Sequence, residues 1–399
     1  MTQLRRLARL EYGDALATET RLEGEVPVMS SGGVTGRHNQ ANTLAPAIII
    51  GRKGSYGSVH WTDVSAFVID TAYYIDARAT GCDLRWLYYV LRSADLRVAS
   101  QDVGVPGLSR AAVYDIELPT PPPLQEQRLT ADLLDEQVAL LDRTVALRQK
   151  QEALLLARRA AGVLAAVTGL GHNSGQVPGL LPWADQSAAA WPVAKIAHHA
   201  RLGSGHTPSR SRPEWWTDCT IPWVTTGEVW QMRTDRLEDI TDTREKISLL
   251  GLENSSAKLH PRGTVVLCRT AASAGYSAVM GADMATSQDL MTWTCEPTLN
   301  PYYLLWCLRA MRGDLLSRLA TGSTHKTIYV PDIQTLRIPV PPRAEQDAIV
   351  ARIRDDNSRI DALVDLGRRH VALLEERKQA LITAAVTGQL DVTTARSVA

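Results

Sequence analysis

PPLQEQRLTADLLDEQVALLDRTVALRQKQEALLLARRAAGVLAAVTG, residues 122 to 169, returns later in the chain as PPRAEQDAIVARIRDDNSRIDALVDLGRRHVALLEERKQALITAAVTG, residues 341 to 388. The two align without a gap and are identical at about a third of positions, the mark of an internal repeat. Each opens Pro-Pro-x-x-Glu-Gln and closes Ala-Ala-Val-Thr-Gly. Between those ends Leu134, Val138, Leu141, Val145 and Leu155 recur at coiled-coil spacing, matched in the second copy by Ile353, Asn357, Ile360, Val364, Val371 and Leu374. Two long helices that pair along this seam are expected. Polar residues at seam positions, Arg148, Glu152, Asn357 and Gly367, either fix one register or mark a solvated stretch. A helix from about residue 126 to about residue 165 would be a rod of roughly 60 Å. The paired prolines stiffen its entrance, and Gly169 and Gly388 are placed to stop it.

The 399 residues leave room for two or three domains. Lys plus Arg and Asp plus Glu both number 43, so no global basic field exists, and any nucleic-acid contact must come from a local patch. Five cysteines (Cys82, Cys219, Cys268, Cys295, Cys307) form no metal-ligand spacing, which suits a reduced, cytoplasmic protein without structural zinc. No stretch has the roughly 18 apolar residues of a membrane span.

Outside the repeat, residues 25–29, 47–50 and 64–69 read as short strands and 84–98 as a helix. A Gly/Pro/Ser-rich linker spans 170–190. A second unit repeats the plan, with strands at 264–268 and 290–294 and a helix at 302–319. The expected division is 1–118, globular; 119–169, helix; 170–190, linker; 191–339, globular; 340–390, helix; and 391–399, tail. Two similar helices that hold dissimilar α+β domains apart suit a device reading two different things at a fixed distance.

GRKGSYGSVHW (51–61) is the strongest local motif. Its glycines allow close backbone approach, Arg52 and Lys53 suit phosphates or a guanine edge, and Ser55, Tyr56, Ser58 and His60 add hydrogen-bonding groups. The bland alternative is a glycine-rich hairpin with solvated charges. RLGSGHTPSRSRPEWW (201–216) is locally basic, and Ser204, His206, Arg210 and Arg212 are candidates there, with Trp215 and Trp216 read as core anchors. Thr225 and Thr226 follow a strand-like IPWV. Arg269, Thr270, Ser273 and Tyr276 form the second unit's counterpart of the glycine-rich segment, and His325 and Lys326 lie in a polar loop before the second helix. Asn300-Pro301-Tyr302 has an outline known from amino-methyltransferases, but a helix N-cap followed by proline explains it. No catalytic or metal constellation stands out.

The proline-Glu-Gln entrances, the A-A-V-T-G helix ends, GRKGSYGSVHW with DTAYYI (70–75), and TPSRSRPEWW with IPWVTTGEV resemble the specificity subunit of Type I restriction-modification systems over nearly the whole chain. The resemblance implies two target-recognition domains, each followed by a long helix, with the helices pairing as an antiparallel coiled coil. It implies a non-catalytic subunit that reads a bipartite double-stranded DNA target. Two methyltransferase subunits and the restriction subunits would dock on it, and S-adenosylmethionine, ATP and Mg would belong to those partners. Glu126, Gln127, Leu134, Leu141, Glu345, Gln346, Ile353 and Ile360 are the expected spacer and docking residues. The chain departs from the family pattern in beginning almost directly at its first strand, which leaves the completeness of that domain open. Its first entrance is also one residue longer (LPTPPP against IPVPP). The competing function is a two-domain protein-protein scaffold; a self-contained methyltransferase is disfavoured by its missing motifs.

Overall fold

Four helices carry the architecture: α1 (Leu84–Ser93), α2 (Leu124–Thr168), α3 (Pro301–Ala310) and α4 (Arg343–Val386). The computed structural model describes residues 1–99, 107–321 and 327–391. The repeat copies are α2 and α4, of 45 and 44 residues. The chain forms two compact units, Met1–Gln149 with Gly367–Ala399, and Lys150–Leu366, so each long helix gives one half to each unit. In the first unit Leu141 and Val145 of α2 pack on Leu374 of α4, and Lys378 Nζ donates to Asp142 at 2.8 Å. In the second, Val163, Ala166 and Val167 share a core with Ile349, Val350 and Ile353. Early residues of one helix meet late residues of the other, so the coiled coil is antiparallel, as the sequence led us to expect. Both helices stop at a glycine of positive φ, Gly169 (68°) and Gly388 (74°). Leu170 and Gln389 then donate back to Ala165 and Ala384 at 2.9 Å, closing the last turn in the Schellman manner.

The Pro-Pro-x-x-Glu-Gln entrance is a staple. Gln127 accepts the amide of Asp83, the N-cap of α1, at 2.8 Å and donates to Pro122 O at 2.7 Å. Gln346 accepts the amide of Asn300, the N-cap of α3, at 2.7 Å and donates to Pro341 O at 2.8 Å and Thr298 O at 3.0 Å. Each cap in turn accepts from the first turn of its own helix, Asp83 from Trp86 and Asn300 from Tyr302 and Tyr303. Asn300-Pro301-Tyr302 is thus a helix start.

In the first unit β1 (Glu11–Tyr12), β2 (Val26–Ser30), β3 (Gly33–His38), β4 (Ala47–Gly51), β5 (Val59–Thr62), β6 (Phe67–Val68) and β7 (Ala72–Asp76) form two sheets, ordered β1-β7-β4-β5 and β3-β2-β6. Strand β4 is an unbroken apolar run because both its faces are buried. Ile48 and Ile50 join Trp86, Leu87, Val90 and Leu91 of α1, while Ala47 and Ile49 meet Met29 and Val68.

The second unit repeats this with β8 (Ala200–Ser204), β9 (Ile221–Val224), β10 (Asp239–Ile240), β11 (Lys246–Ile247), β12 (Val265–Cys268), β13 (Ser277–Met280), β14 (Ala285–Thr286) and β15 (Leu290–Cys295). The sheets are ordered β8-β15-β12-β13-β10 and β11-β9-β14. Val265 and Leu267 face α3, and Val266 and Cys268 face Val224 and Met232.

Four local expectations change. The helix at 84–98 ends at Ser93 and is followed by a 3-10 turn over Leu96–Ala99. The strand at 64–69 shrinks to β6, and the helix at 302–319 is regular only to Ala310, before Arg312-Gly313. Within the expected linker, Gln176–Leu181 and Ala184–Ala188 pair as an antiparallel hairpin. Its Trp183 donates to Arg337 O at 3.0 Å, so this polar stretch is held by a contact far along the chain that periodicity does not reveal.

Candidate nucleic-acid interface

GRKGSYGSVHW is the end of β4, a turn at 52–58, and β5. Gly57 (φ 76°) closes the turn by donating to Gly51 O at 2.8 Å. Arg52 is tied at three points: its amide donates to Thr71 O at 2.8 Å, its carbonyl accepts from Leu108 at 2.8 Å, and its Nη1 donates to Asp70 O at 3.2 Å. The guanidinium lies 5.0 Å from the Tyr12 ring centre and 5.8 Å from that of Tyr73. Ser58 Oγ donates to Ser31 O, and His60 Nε2 is 3.1 Å from the same carbonyl. Tyr56 packs on the α1 core. Lys53 and Ser55 are exposed, with Lys53 Nζ a loose 3.9 Å from Asp70.

The second unit builds the same turn from different residues. Arg269 donates its amide to Asp289 O at 3.0 Å, accepts from Ile328 at 2.8 Å, and donates its Nε to Gln288 O at 3.1 Å. Gly275 (φ 82°) donates to Cys268 O at 2.8 Å. The counterparts are therefore Gly51 and Cys268, Arg52 and Arg269, Gly57 and Gly275, Asp70 and Gln288, Thr71 and Asp289. The match extends to the next segments. Ile69 donates to Met29 O, and Ser287 to Val224 O, each at 2.9 Å. Asp14 donates to Val68 O at 3.0 Å, and His206 to Thr286 O at 2.9 Å. Thr225 and Thr226 thus stand where Ser30 and Ser31 stand in the first unit.

Of the other second-unit candidates, Ser204 Oγ donates to Leu290 O at 3.2 Å. Thr225 Oγ1 accepts the Gly227 amide at 3.1 Å and caps a short turn. Ser273 and Thr270 are joined through their backbones at 3.3 Å. Arg210 is paired with Glu245 at 2.8 Å and lies 4.4 Å from the Trp216 ring centre, and Arg212 is 3.7 Å from Glu214. Trp216 rests against Trp223 at 5.6 Å, an anchor as expected. Beneath the turn, Arg312 covers Tyr276 at 4.6 Å and donates its Nε to Gly275 O at 3.0 Å. It also forks onto Asp235 at 2.9 and 2.6 Å. Asp235 (φ 54°) is shared with Arg309, whose Nη1 donates to Asp235 O at 2.9 Å. Burial pulls the Arg309 guanidinium down to about 10, with Asp235 opposing the shift.

Several candidates change role. Tyr56 and Tyr276 pack under the turns, and Ser58 and His60 join two hairpin tips, so these four hold the site together. Gln127, Gln346, Leu134, Leu141 and Ile353 are buried at the helix entrances and along the seam, where a spacer residue stands; Ile360 and Glu345 are half-buried, the latter accepting from Trp191 at 3.2 Å, and Glu126 is exposed. His325 and Lys326 lie outside the described residues.

The sequence reading missed Asp14, Ser30, Ser31, Asp70, Thr71, Gln288 and Asp289, which reach the turns only through strand pairing. It also missed four leucines, identical between the repeat copies yet exposed: Leu147 (66%) with Leu366 (57%), and Leu154 with Leu373 (both 62%). That identity was itself the available signal.

Residues 3–155 and 190–363 match the model of the Type I restriction modification DNA specificity domain. The MjaIX specificity subunit of a Type I restriction enzyme from Methanocaldococcus jannaschii is 24% identical over 187 residues, 47% of this chain and 41% of the relative. The putative MjaX specificity subunit of the same organism is 32% identical over 76 residues, 19% of this chain and 17% of that one. The chain thus spans less than half the length of these curated relatives. A structure described as the basis of complex assembly and conformational transition of the type I R-M system superposes with a TM-score of 0.67 at 16% identity, covering 98% of this chain and 97% of that one. The HsdS subunit from Thermoanaerobacter tengcongensis gives 0.52 at 16%, covering 98% and 96%. Among the described residues no helix is long and apolar enough to cross a membrane.

Proposed function

Since this chain belongs to the family of Type I restriction-modification specificity subunits, whose general role is DNA sequence specificity, we propose that it reads a bipartite double-stranded target, one half-site per globular domain. The observation that carries this reading is the recurrence of one hydrogen-bonded turn on two sheets with different polar side chains around it: Lys53 and Asp70 in one unit, Thr270 and Gln288 in the other. A constant backbone offering different donors and acceptors is what two separate direct readouts require. Methyl transfer and cleavage belong in this reading to methyltransferase and restriction subunits, which bring S-adenosylmethionine, ATP and Mg. The subunit supplies recognition and a platform. Leu147 and Leu373 in the first unit, and Leu154 and Leu366 in the second, give each unit two exposed apolar side chains on its long helices, suited to helical partners.

The test is methylome mapping in cells that express the chain with its methyltransferase partners. A split motif with two defined halves is expected, and Lys53→Thr should alter one half only. A single continuous motif, or methylation without sequence preference, would refute the reading. For the platform, Leu147→Glu with Leu373→Glu should abolish co-purification of a methyltransferase subunit while leaving the fold intact.

A further inference from the structure

We infer that Arg52 and Arg269 are positioning residues that clamp the recognition turns, and that specificity comes from the differing residues around them. This rests on the DNA-reading function proposed above. The sequence invites the opposite view, since an arginine in a glycine-rich turn is well suited to fork onto guanine. In the structure both guanidiniums are engaged by backbone carbonyls of their own unit, although each side chain is only half-buried. Arg52 donates to Asp70 O at 3.2 Å and Arg269 to Gln288 O at 3.1 Å, carbonyls at equivalent positions.

Each arginine also engages two further segments through its own amide and carbonyl. One residue therefore joins the turn, the start of the next strand (71 or 289) and the segment leading to the long helix (108 or 328). A planar, permanently charged guanidinium can hold a carbonyl through one N–H where a solvated lysine would not. The identity of the two arginines argues the same way. If each read a base from its equivalent place, both half-sites would carry the same base there. Residues that differ on a common frame, Lys53 against Thr270 and Asp70 against Gln288, can give the two halves different sequences.

The experiment uses the full chain assembled with its methyltransferase subunits, comparing Arg52→Met, Arg52→Lys, and the graft Lys53→Thr with Asp70→Gln. Duplexes carrying the mapped target serve as probes. Arg52→Met should raise Kd about tenfold on every target without changing the base identities of either half or the salt dependence of binding. It should also speed amide exchange at residues 52–58 while the amides of β4 and β7 stay protected. Arg52→Lys should recover only part of the affinity, because a flexible, strongly hydrated ammonium neither holds the Asp70 carbonyl nor lies over the Tyr12 ring as the planar guanidinium does. The graft should change base identities in one half alone.

A new base preference in Arg52→Met would make Arg52 a reader and overturn the clamp, and a salt slope reduced by about one would make it a phosphate contact with the same result. Unchanged exchange at 52–58 would overturn it without reference to DNA. If the unaltered complex showed no sequence preference, the functional proposal would fail and the inference with it. That outcome is distinct from a failure confined to the arginine variants.

Discussion

The two glycine-closed turns share their backbone hydrogen bonds and differ in what supports them. In the first unit the turn arginine lies against the rings of Tyr12 and Tyr73, and Gly57 closes over Arg97, an exposed side chain. In the second unit the equivalent of Tyr12 is Ser204, and support comes from a charged hub in which Asp235 joins Arg309 and Arg312 beneath Gly275 and Tyr276. Aromatic contact tolerates small shifts, whereas an ion cluster built around the buried Arg309 tolerates less, because removing a carboxylate weakens the compensation of that charge. The same turn is therefore held compliantly in one unit and rigidly in the other.

The largest effect should come from breaking the hub. Asp235→Ala leaves Arg309 buried without its carboxylate and should cost about 3–5 kcal/mol, read as a lowered denaturation midpoint of the second unit with the first unchanged. Equal loss in both units would show that the hub is not local.

The helix entrances sharpen the comparison next. Gln346 makes three hydrogen bonds and Gln127 two, all to backbone groups. Gln346→Ala should cost roughly 2–3 kcal/mol and Gln127→Ala roughly 1–2, as the groups left unpaired predict. Chemical denaturation that ranked them the other way would mean the staple matters less than the local packing.

The glycines test compliance directly. A Cβ at Gly57 would meet Arg97 Cγ at 2.8 Å, and one at Gly275 would meet Arg312 Cγ at the same distance. The Arg97 side chain can move, although its amide nitrogen at 3.3 Å must give slightly, whereas Arg312 is forked onto Asp235. Gly57→Ala should cost about 1–2 kcal/mol from backbone strain alone, and Gly275→Ala measurably more. Equal costs would remove the distinction between the supports.

The smallest difference is in pH dependence. In the second unit burial, with Lys258 and Arg201 nearby, holds the His260 imidazole below its ordinary value of 6.5. The unfolded chain then takes up the proton first, so stability is full above about 6.5 and declines as pH falls toward the folded value. In the first unit burial raises the Asp76 carboxyl, but hydrogen bonds from Arg78 and the Leu44 amide outweigh it and hold the group below 3.8. Its contribution is full above about 4 and is lost only as pH falls further. Mild acid should weaken the second unit first, and His260→Gln should reduce that early loss in a pH series of unfolding curves, leaving the part due to His199, which burial and His198 also hold below 6.5.

What the sequence disclosed follows from which forces are local. The seam, the helix-stopping glycines, the short strand at 47–50 and the Asn300 cap are each written in a few neighbouring residues, and were legible. The site was legible as segments but not as an assembly. GRKGSYGSVHW announces a turn, yet Ser31 and Asp70 join it only because β2 pairs with β6 and β4 with β7. A burial pattern also looks the same whether an arginine faces a partner or a carbonyl, so the bond from Arg52 to Asp70 O was not legible in the sequence.

The sharing of the long helices bears on how the protein is made. Ile382, Ala385 and Val386 complete a core whose other members include Leu4, Ile48, Trp86 and Leu134. At roughly 5–20 residues per second, the first unit's sheets wait on the order of tens of seconds for those three side chains to be synthesised. Over that interval the part of this core that Ile382, Ala385 and Val386 close stands open. Nascent chains stalled before residue 382 should be far more sensitive to protease in the first unit than finished chains, and a chaperone that covers this opening would protect them.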